Sequence, residues 1–337
     1  MLSKLPYFLL FIILISCSNE AKVAEKETDS PPENPANSTL PASNGGRLDL
    51  IVVSSNSVWD GVAGEAIRKV FSAAQHGLPQ EEPLFNVIHI ESSKFNYVLK
   101  RSRNIIVLEI NPENIGSKLQ ENAWADPQIV AYYSAADQNG IAELFKNSKE
   151  RVFEEFMALE ISTMHKRLKK GRFLPNPKVL QDHGVSMDIP RSFELDQENE
   201  NLLVFWNKTI KTDQGIIIHF SPLNDEDLTV GSNTIPLRDS ITKLYIHGQK
   251  EGSYMKTEML IPPKVSTLEL SGQFALETRG LWKTIGEFKG GPFINYTIYD
   301  EKNKQVIFLD AFIYSPETKK RNFLLELETV LRSLKIK

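Results

Sequence analysis

The chain has 337 residues, with 39 basic side chains against 43 acidic ones, a net charge of −4 and a single cysteine. That near balance argues against nucleic acid as a partner, because such binders carry a concentrated basic patch. One cysteine also excludes an intrachain disulfide, so packing alone must hold the fold.

At the N-terminus, Lys4 precedes an apolar run from Leu5 to Ile15 broken only by Pro6, and Ser16 and Cys17 follow. This is the charged, apolar and small-residue order of a secretory signal. The run is too short for a helix to cross a hydrocarbon core of about 30 Å, so residues 1–16 read as a signal peptide that is removed. Leu14-Ile15-Ser16-Cys17 resembles the bacterial lipoprotein box. The resemblance implies cleavage before Cys17, diacylglyceryl transfer to its thiol and two or three acyl chains, palmitate among them. Several chains anchor firmly where one binds only marginally.

Ser18-Asn19-Glu20 follows the cysteine, with no Asp directly after it. Among lipoproteins of diderm bacteria this favours the outer membrane, facing the periplasm or exposed at the surface. Residues 17–46 are rich in Glu, Lys, Ser, Pro and Asn and nearly free of large apolar side chains, which predicts a disordered tether.

About 290 residues remain from Arg47 onward, enough for one large domain or two ordinary ones. Residues 48–54 predict a buried strand, and Ser57 an N-cap for a helix running to about Ala74. Strands are expected near 84–91, 104–110 and 128–133, with a short helix over Phe95–Arg101. One long helix is expected from Asp137 to Lys170. Gly171, Pro175 and Pro177 then mark a boundary, giving an N-terminal α/β lobe over 47–175 and a C-terminal α+β lobe over 176–337.

In the second lobe the pattern predicts strands at 193–196, 202–206, 215–220, 256–261, 268–276, 293–299 and 305–314, with a helix near 234–247. A last helix from Pro316 to Leu334 places Phe323, Leu324, Leu327, Val330, Leu331 and Leu334 on one face. The expected fold is α/β to α+β, with each lobe a mixed or antiparallel sheet packed with helices. The order of elements in the second lobe resembles the small α/β-sandwich modules of the photosystem-accessory and nuclear-transport-cofactor class. Both lobes end in an aromatic strand followed by a long helix, which raises the idea of a duplication.

Motifs for chemistry are missing from the sequence: it has no GxGxxG, no GxxxxGK[ST] and no GxSxG. The histidines at 76, 89, 165, 183, 219 and 247 form no metal-like spacing. His89 and His219 each interrupt an apolar strand and are expected on the polar side of a half-buried sheet. Glu154, Glu155 and Glu160 are expected on the solvated face of the long helix. The basic run from His165 to Arg172 suits a helix C-terminus, with anionic lipid headgroups as the alternative partner. No metal or cofactor is expected.

Trp, Arg and Gly concentrate around Trp59 to Gly64, Arg279 to Trp282 and Gly290 to Phe293, combinations that build binding surfaces. Trp59, Arg103, Trp124, Arg279 and Trp282 are therefore the candidate binding residues, with Cys17 as the lipidation site. Trp59-Asp60-Gly61-Val62-Ala63-Gly64, Pro83-Leu84-Phe85-Asn86-Val87, Arg103-Asn104-Ile105, Trp124-Ala125-Asp126-Pro127-Gln128, Glu251-Gly252-Ser253-Tyr254-Met255, Arg279-Gly280-Leu281-Trp282 and Gly290-Gly291-Pro292-Phe293 together resemble an uncharacterised Bacteroidetes lipoprotein family. That resemblance implies a diderm host and a lipoprotein, and carries no catalytic residues. The function expected is a non-enzymatic envelope module binding a protein or glycan partner, with an envelope enzyme or an assembly factor as alternatives.

Overall fold

The computed structural model describes residues 40–224 and 234–337. The signal segment, Cys17 and the tether up to residue 39 lie outside the described residues. Residues 40–46, expected as the end of the tether, instead run along the first lobe: Asn44 N donates to Arg101 O at 2.8 Å and the Arg101 guanidinium holds Ala42 O at 2.8 Å.

The first lobe is built from β1 (Asp49–Ser54), α1 (Asn56–Asp60), α2 (Val62–Phe71), β2 (Asn86–Glu91), α3 (Tyr97–Lys100), β3 (Asn104–Ile110), β4 (Gly116–Glu121), β5 (Ile129–Ala135), α4 (Gln138–Lys146) and α5 (Lys149–Lys170). Its five-stranded sheet has the order β2-β1-β3-β5-β4, parallel except for β4. Parallel strands need cover on both faces. On one face α2, α4 and α5 bring Phe71, Phe145, Phe153 and Phe156 together with Phe85. On the other, Phe95, Leu99, Trp124 and Tyr132 close over Ile51, Val53, Ile105 and Val130.

Three local expectations shift. Ser55, not Ser57, caps the first helix by accepting from Val58 N, and the chain breaks at Gly61 before continuing as α2. The long helix is two, because Ser148 turns out of helical geometry at φ −127° with its Oγ 2.7 Å from Tyr133 OH. Glu160 does not join a solvated face. Its carboxylate is buried and accepts from Leu48 N at 2.9 Å, Arg103 Nε at 2.7 Å and Asn104 Nδ2 at 2.8 Å, tying α5 to the strand ends.

The second lobe comprises α6 (Lys178–Asp182), β6 (Val185–Ser186), β7 (Glu194–Asn199), β8 (Leu202–Lys208), β9 (Asp213–Pro222), α7 (Thr234–Tyr245), β10 (Tyr254–Glu258), β11 (Lys264–Leu270), β12 (Gln273–Ile285), β13 (Gly290–Asp300), β14 (Gln305–Tyr314), α8 (Arg321–Leu331) and β15 (Lys335–Ile336). An eight-stranded antiparallel sheet runs β10-β12-β13-β14-β9-β8-β7, and β11 also pairs with β12. The run 268–276, expected as one strand, is a hairpin. Ser271 and Gly272 both take positive φ, at 55° and 78°, in a two-residue turn that lets Leu270 pair with Gln273.

Both faces of this sheet are covered. Residues from α6 and α8 pack over Ile216, Ile218, Tyr296, Leu309 and Ile313. On the far face α7 packs over Val204, Ile217, Phe308 and Phe312. There Arg238 and Asp310, both buried, pair at 2.7 Å, and the guanidinium lies 3.6 Å from the Phe293 ring. Burial raises the Asp310 carboxyl, against the pull of Arg238.

The lobes meet along α5 and α8. Leu324, Leu327 and Leu331 serve the second lobe's core while Leu325 joins the first's. The N-terminus of α8 has no cap from its own chain neighbours. Glu82 of the first lobe supplies one, accepting from Lys320 N at 2.6 Å and from Arg321 N at 3.2 Å. That cap starts the helix at Arg321, later than the Pro316 expected. The two sheets differ in kind, the first mostly parallel and the second antiparallel.

Candidate functional site

A cleft of about 650 Å³ opens between the lobes. Its second-lobe wall comes from β11, β12 and α8. Alternation along β12 turns Ala275 into the α8-facing core, then Glu277 and Arg279 along the same face. From α8, Glu328 and Arg332 project one turn apart to meet them.

These four charges form one network around a buried phenol. The Arg279 Nε reaches Glu277 Oε1 at 2.7 Å and its Nη2 reaches Glu328 Oε2 at 2.8 Å. Arg332 Nε lies 3.0 Å from Glu328 Oε1, and its Nη2 3.5 Å from Glu277 Oε2. Tyr296 OH donates to Glu277 Oε2 at 2.9 Å and accepts from Arg332 Nε at 3.0 Å.

Within the network, Glu277, Arg279, Tyr296 and Arg332 are each pushed towards the state they already hold at neutral pH. Burial pushes the Glu277 carboxyl up, but Arg279 and Arg332 outweigh it and hold it below the ordinary range. Burial likewise acts to lower Arg279, and the charges of Glu328 and Glu277 overcome it and raise the guanidinium well above its usual value. Tyr296 is raised well above a free phenol, first by burial and then by the two carboxylates. The network can therefore hold a ligand by charge, whereas proton transfer would have to leave its stable ionisation state.

The first-lobe wall is mostly apolar, with Gln75, His76 and Glu154 as its polar members. Phe153, Met157, Ala158 and Ile161 of α5 line it together with Leu84. At the cleft's edge His76 Nε2 donates to Pro262 O at 3.0 Å, and Gly77, at φ 81°, leaves no room for a Cβ against Gly280 N. Among the described residues no group of three or more His, Cys, Asp or Glu side chains could hold a metal ion.

Of the five binding residues expected from sequence, only Arg279 reaches this cleft. Trp282 lies three positions along the same strand, so it points to the opposite face. There it is buried at 5 % exposure, with Nε1 donating to Ile313 O. Arg103 is committed to Glu160 at 2.7 Å. Trp59 stacks on His89 at 4.8 Å beneath Arg68, and Trp124 packs edge-on to Phe95 at 5.6 Å under the first sheet's other face. The five therefore form no common surface.

Of the two strand histidines, His89 is half-buried in its stack with Trp59, and His219 keeps Nδ1 buried without a partner. Glu277, Glu328 and Arg332 were missed. Their signal was present, since Glu328 falls inside the apolar stripe formed by Leu324, Leu327 and Leu331. A charge in such a stripe needs a buried partner.

The comparisons follow the same division of the chain. Residues 43–169 match the family model DUF8532, a domain of unknown function, and residues 173–333 match DUF4837, also a domain of unknown function. Both lobes match uncharacterised families. No curated protein matches the chain. Among solved structures, the Saccharomyces cerevisiae Ran-binding protein Mog1p aligns at 10 % identity and a TM-score of 0.32, over 45 % of this chain and 90 % of that one. A mutant of protein Mog1 aligns at 12 % identity and 0.31, with the same coverage.

Proposed function

We propose that this protein is a lipid-anchored binding module of the cell envelope, held in the outer membrane through Cys17, and that the inter-lobe cleft is its binding site. The observation that carries the binding reading is the closed geometry of the cleft network, in which both oxygens of Glu277 and of Glu328 are held by Arg279, Arg332 or Tyr296. Glu277 is held below the ordinary carboxylate range and Arg279 well above its own, so neither is poised to exchange a proton near neutrality. A cleft with fixed charges on one wall and apolar side chains on the other is built to recognise.

The anchoring part rests on the order of residues around Cys17 and is tested by Cys17→Ser. The variant is expected to leave the membrane fraction, and retention after a carbonate wash would contradict the anchor. The cleft part is tested in intact cells with a photo-reactive residue in place of Ala158, on the apolar wall, or in place of Tyr97, on the far side of the first sheet. A specific adduct is expected at 158 and not at 97. Equal labelling at both positions, or none at 158, would contradict the cleft as the site.

A further inference from the structure

Resting on the cleft reading, we infer that the ligand is an amphipathic organic anion: a carboxylate or phosphate head on a single apolar chain. Both oxygens of Glu277 and both of Glu328 already receive Arg279, Arg332 or Tyr296. The guanidiniums are not used up. Arg279 spends Nε and Nη2, and Arg332 spends Nε and Nη2, while Nη1 of each has no partner among the described residues. Neither Nη1 is sealed from solvent, as the side chains are 17 % and 30 % exposed and neither atom is among the buried groups lacking a partner.

Further positive charge borders the same space. Lys264 makes no ion pair among the described residues, and Arg321 donates Nη1 to Pro83 O while its Nε stays without a partner. The lining holds four cations, Lys264, Arg279, Arg321 and Arg332, against three carboxylates, of which Glu154 alone is outside the network. A ligand cation would find two carboxylates already neutralised by Arg279 and Arg332, and one exposed glutamate. An anion finds unspent planar donors, the geometry suited to carboxylate or phosphate.

The other wall defines the rest of the ligand. Phe153, Met157 and Ile161 of the first lobe offer apolar contact in the same cleft that Arg279 and Arg332 line from the second. Removing an alkyl chain from water against such a wall favours binding in proportion to the apolar surface buried. The volume of about 650 Å³ lies within the range of small-molecule sites.

Isothermal titration of the full chain carrying Cys17→Ser tests the inference with decanoate, decyl phosphate, decanol and decyltrimethylammonium. The two anions are expected to bind one to one and at least about ten-fold more tightly than the alcohol or the cation. Ala158→Trp, which fills the cleft from an exposed position, is expected to abolish that binding without altering the thermal midpoint. Arg332→Gln should weaken decanoate and leave decanol unchanged. Vesicles containing phosphatidylglycerol separate the sources. Sedimentation with them that Ala158→Trp abolishes identifies a membrane lipid, and binding to decyl phosphate alone identifies a free anion.

If decanol and decyltrimethylammonium bind as well as the anions and Ala158→Trp blocks all of them, the anion assignment is overturned while the cleft stands. If no probe binds, the assignment is also overturned, and the Ala158 photo-adduct then decides whether the cleft reading falls with it.

Discussion

The two lobes solve the same burial problem in different ways. The first covers a mostly parallel sheet with an aromatic cluster of Phe71, Phe85, Phe145, Phe153 and Phe156 and buries the carboxylates of Glu160, satisfied by three donors, and Glu82, which accepts from the start of α8. The second covers an antiparallel sheet on both faces and buries charge on each: Arg238 with Asp310 beneath α7, and the Glu277, Arg279, Glu328 and Arg332 network beside α8. A buried pair adds little net stability but makes the loss of either partner expensive. The charge in the second lobe is thus a commitment to one arrangement, and it faces the cleft only where the apolar α5 of the first lobe lies opposite. The site depends on the contrast between the lobes.

The largest expected effect breaks that contrast inside the second lobe. Arg238→Met leaves Asp310 buried and unpaired and should cost about 3–5 kcal/mol in urea unfolding. Adding Asp310→Leu should recover much of it. A loss well below 1 kcal/mol would mean that the pair is hydrated in solution.

A smaller effect is expected at the joint. Glu82→Ala removes the cap that the first lobe lends to α8 and should cost about 1–2 kcal/mol. It should also separate lobe unfolding into two resolvable steps, followed by circular dichroism and by tryptophan fluorescence. A single transition at the wild-type midpoint would show that the packing of α5 on α8 couples the lobes without the cap.

The smallest concerns pH. Burial, with His183 adding to it, lowers the pKa of His219 from its usual 6.5, so the unfolded chain binds this proton more readily than the folded one. Stability therefore falls as pH drops through about 6.5 and returns as it rises. His219→Gln should flatten the slope of the thermal midpoint between about pH 7.5 and 5.5, and an unchanged slope would place the proton uptake elsewhere.

The sequence was most legible where one period dominates. Asp49–Ser54, Asn104–Ile110 and Gln305–Tyr314 read as strands because short β-branched runs are bounded by turn residues. It was less legible where tertiary contacts choose between local options. Tyr133 decides that helix 138–170 breaks at Ser148, and Glu82, far away in sequence, decides where α8 begins. Of the site, only Arg279 was anticipated. Its grouping with Trp282 failed because a strand turns alternate residues to opposite faces.

The most direct test of the cleft as the occupied site uses two methionines. Met157 lines its apolar wall, and Met259, 54 % exposed on the second lobe, serves as an internal reference. Peroxide oxidation followed by peptide mass spectrometry gives the ratio of their rates, in intact cells and in purified ligand-free protein. Met157 is expected to be protected relative to Met259 in cells and to lose that protection on purification. An identical ratio in both would contradict the cleft as the occupied site.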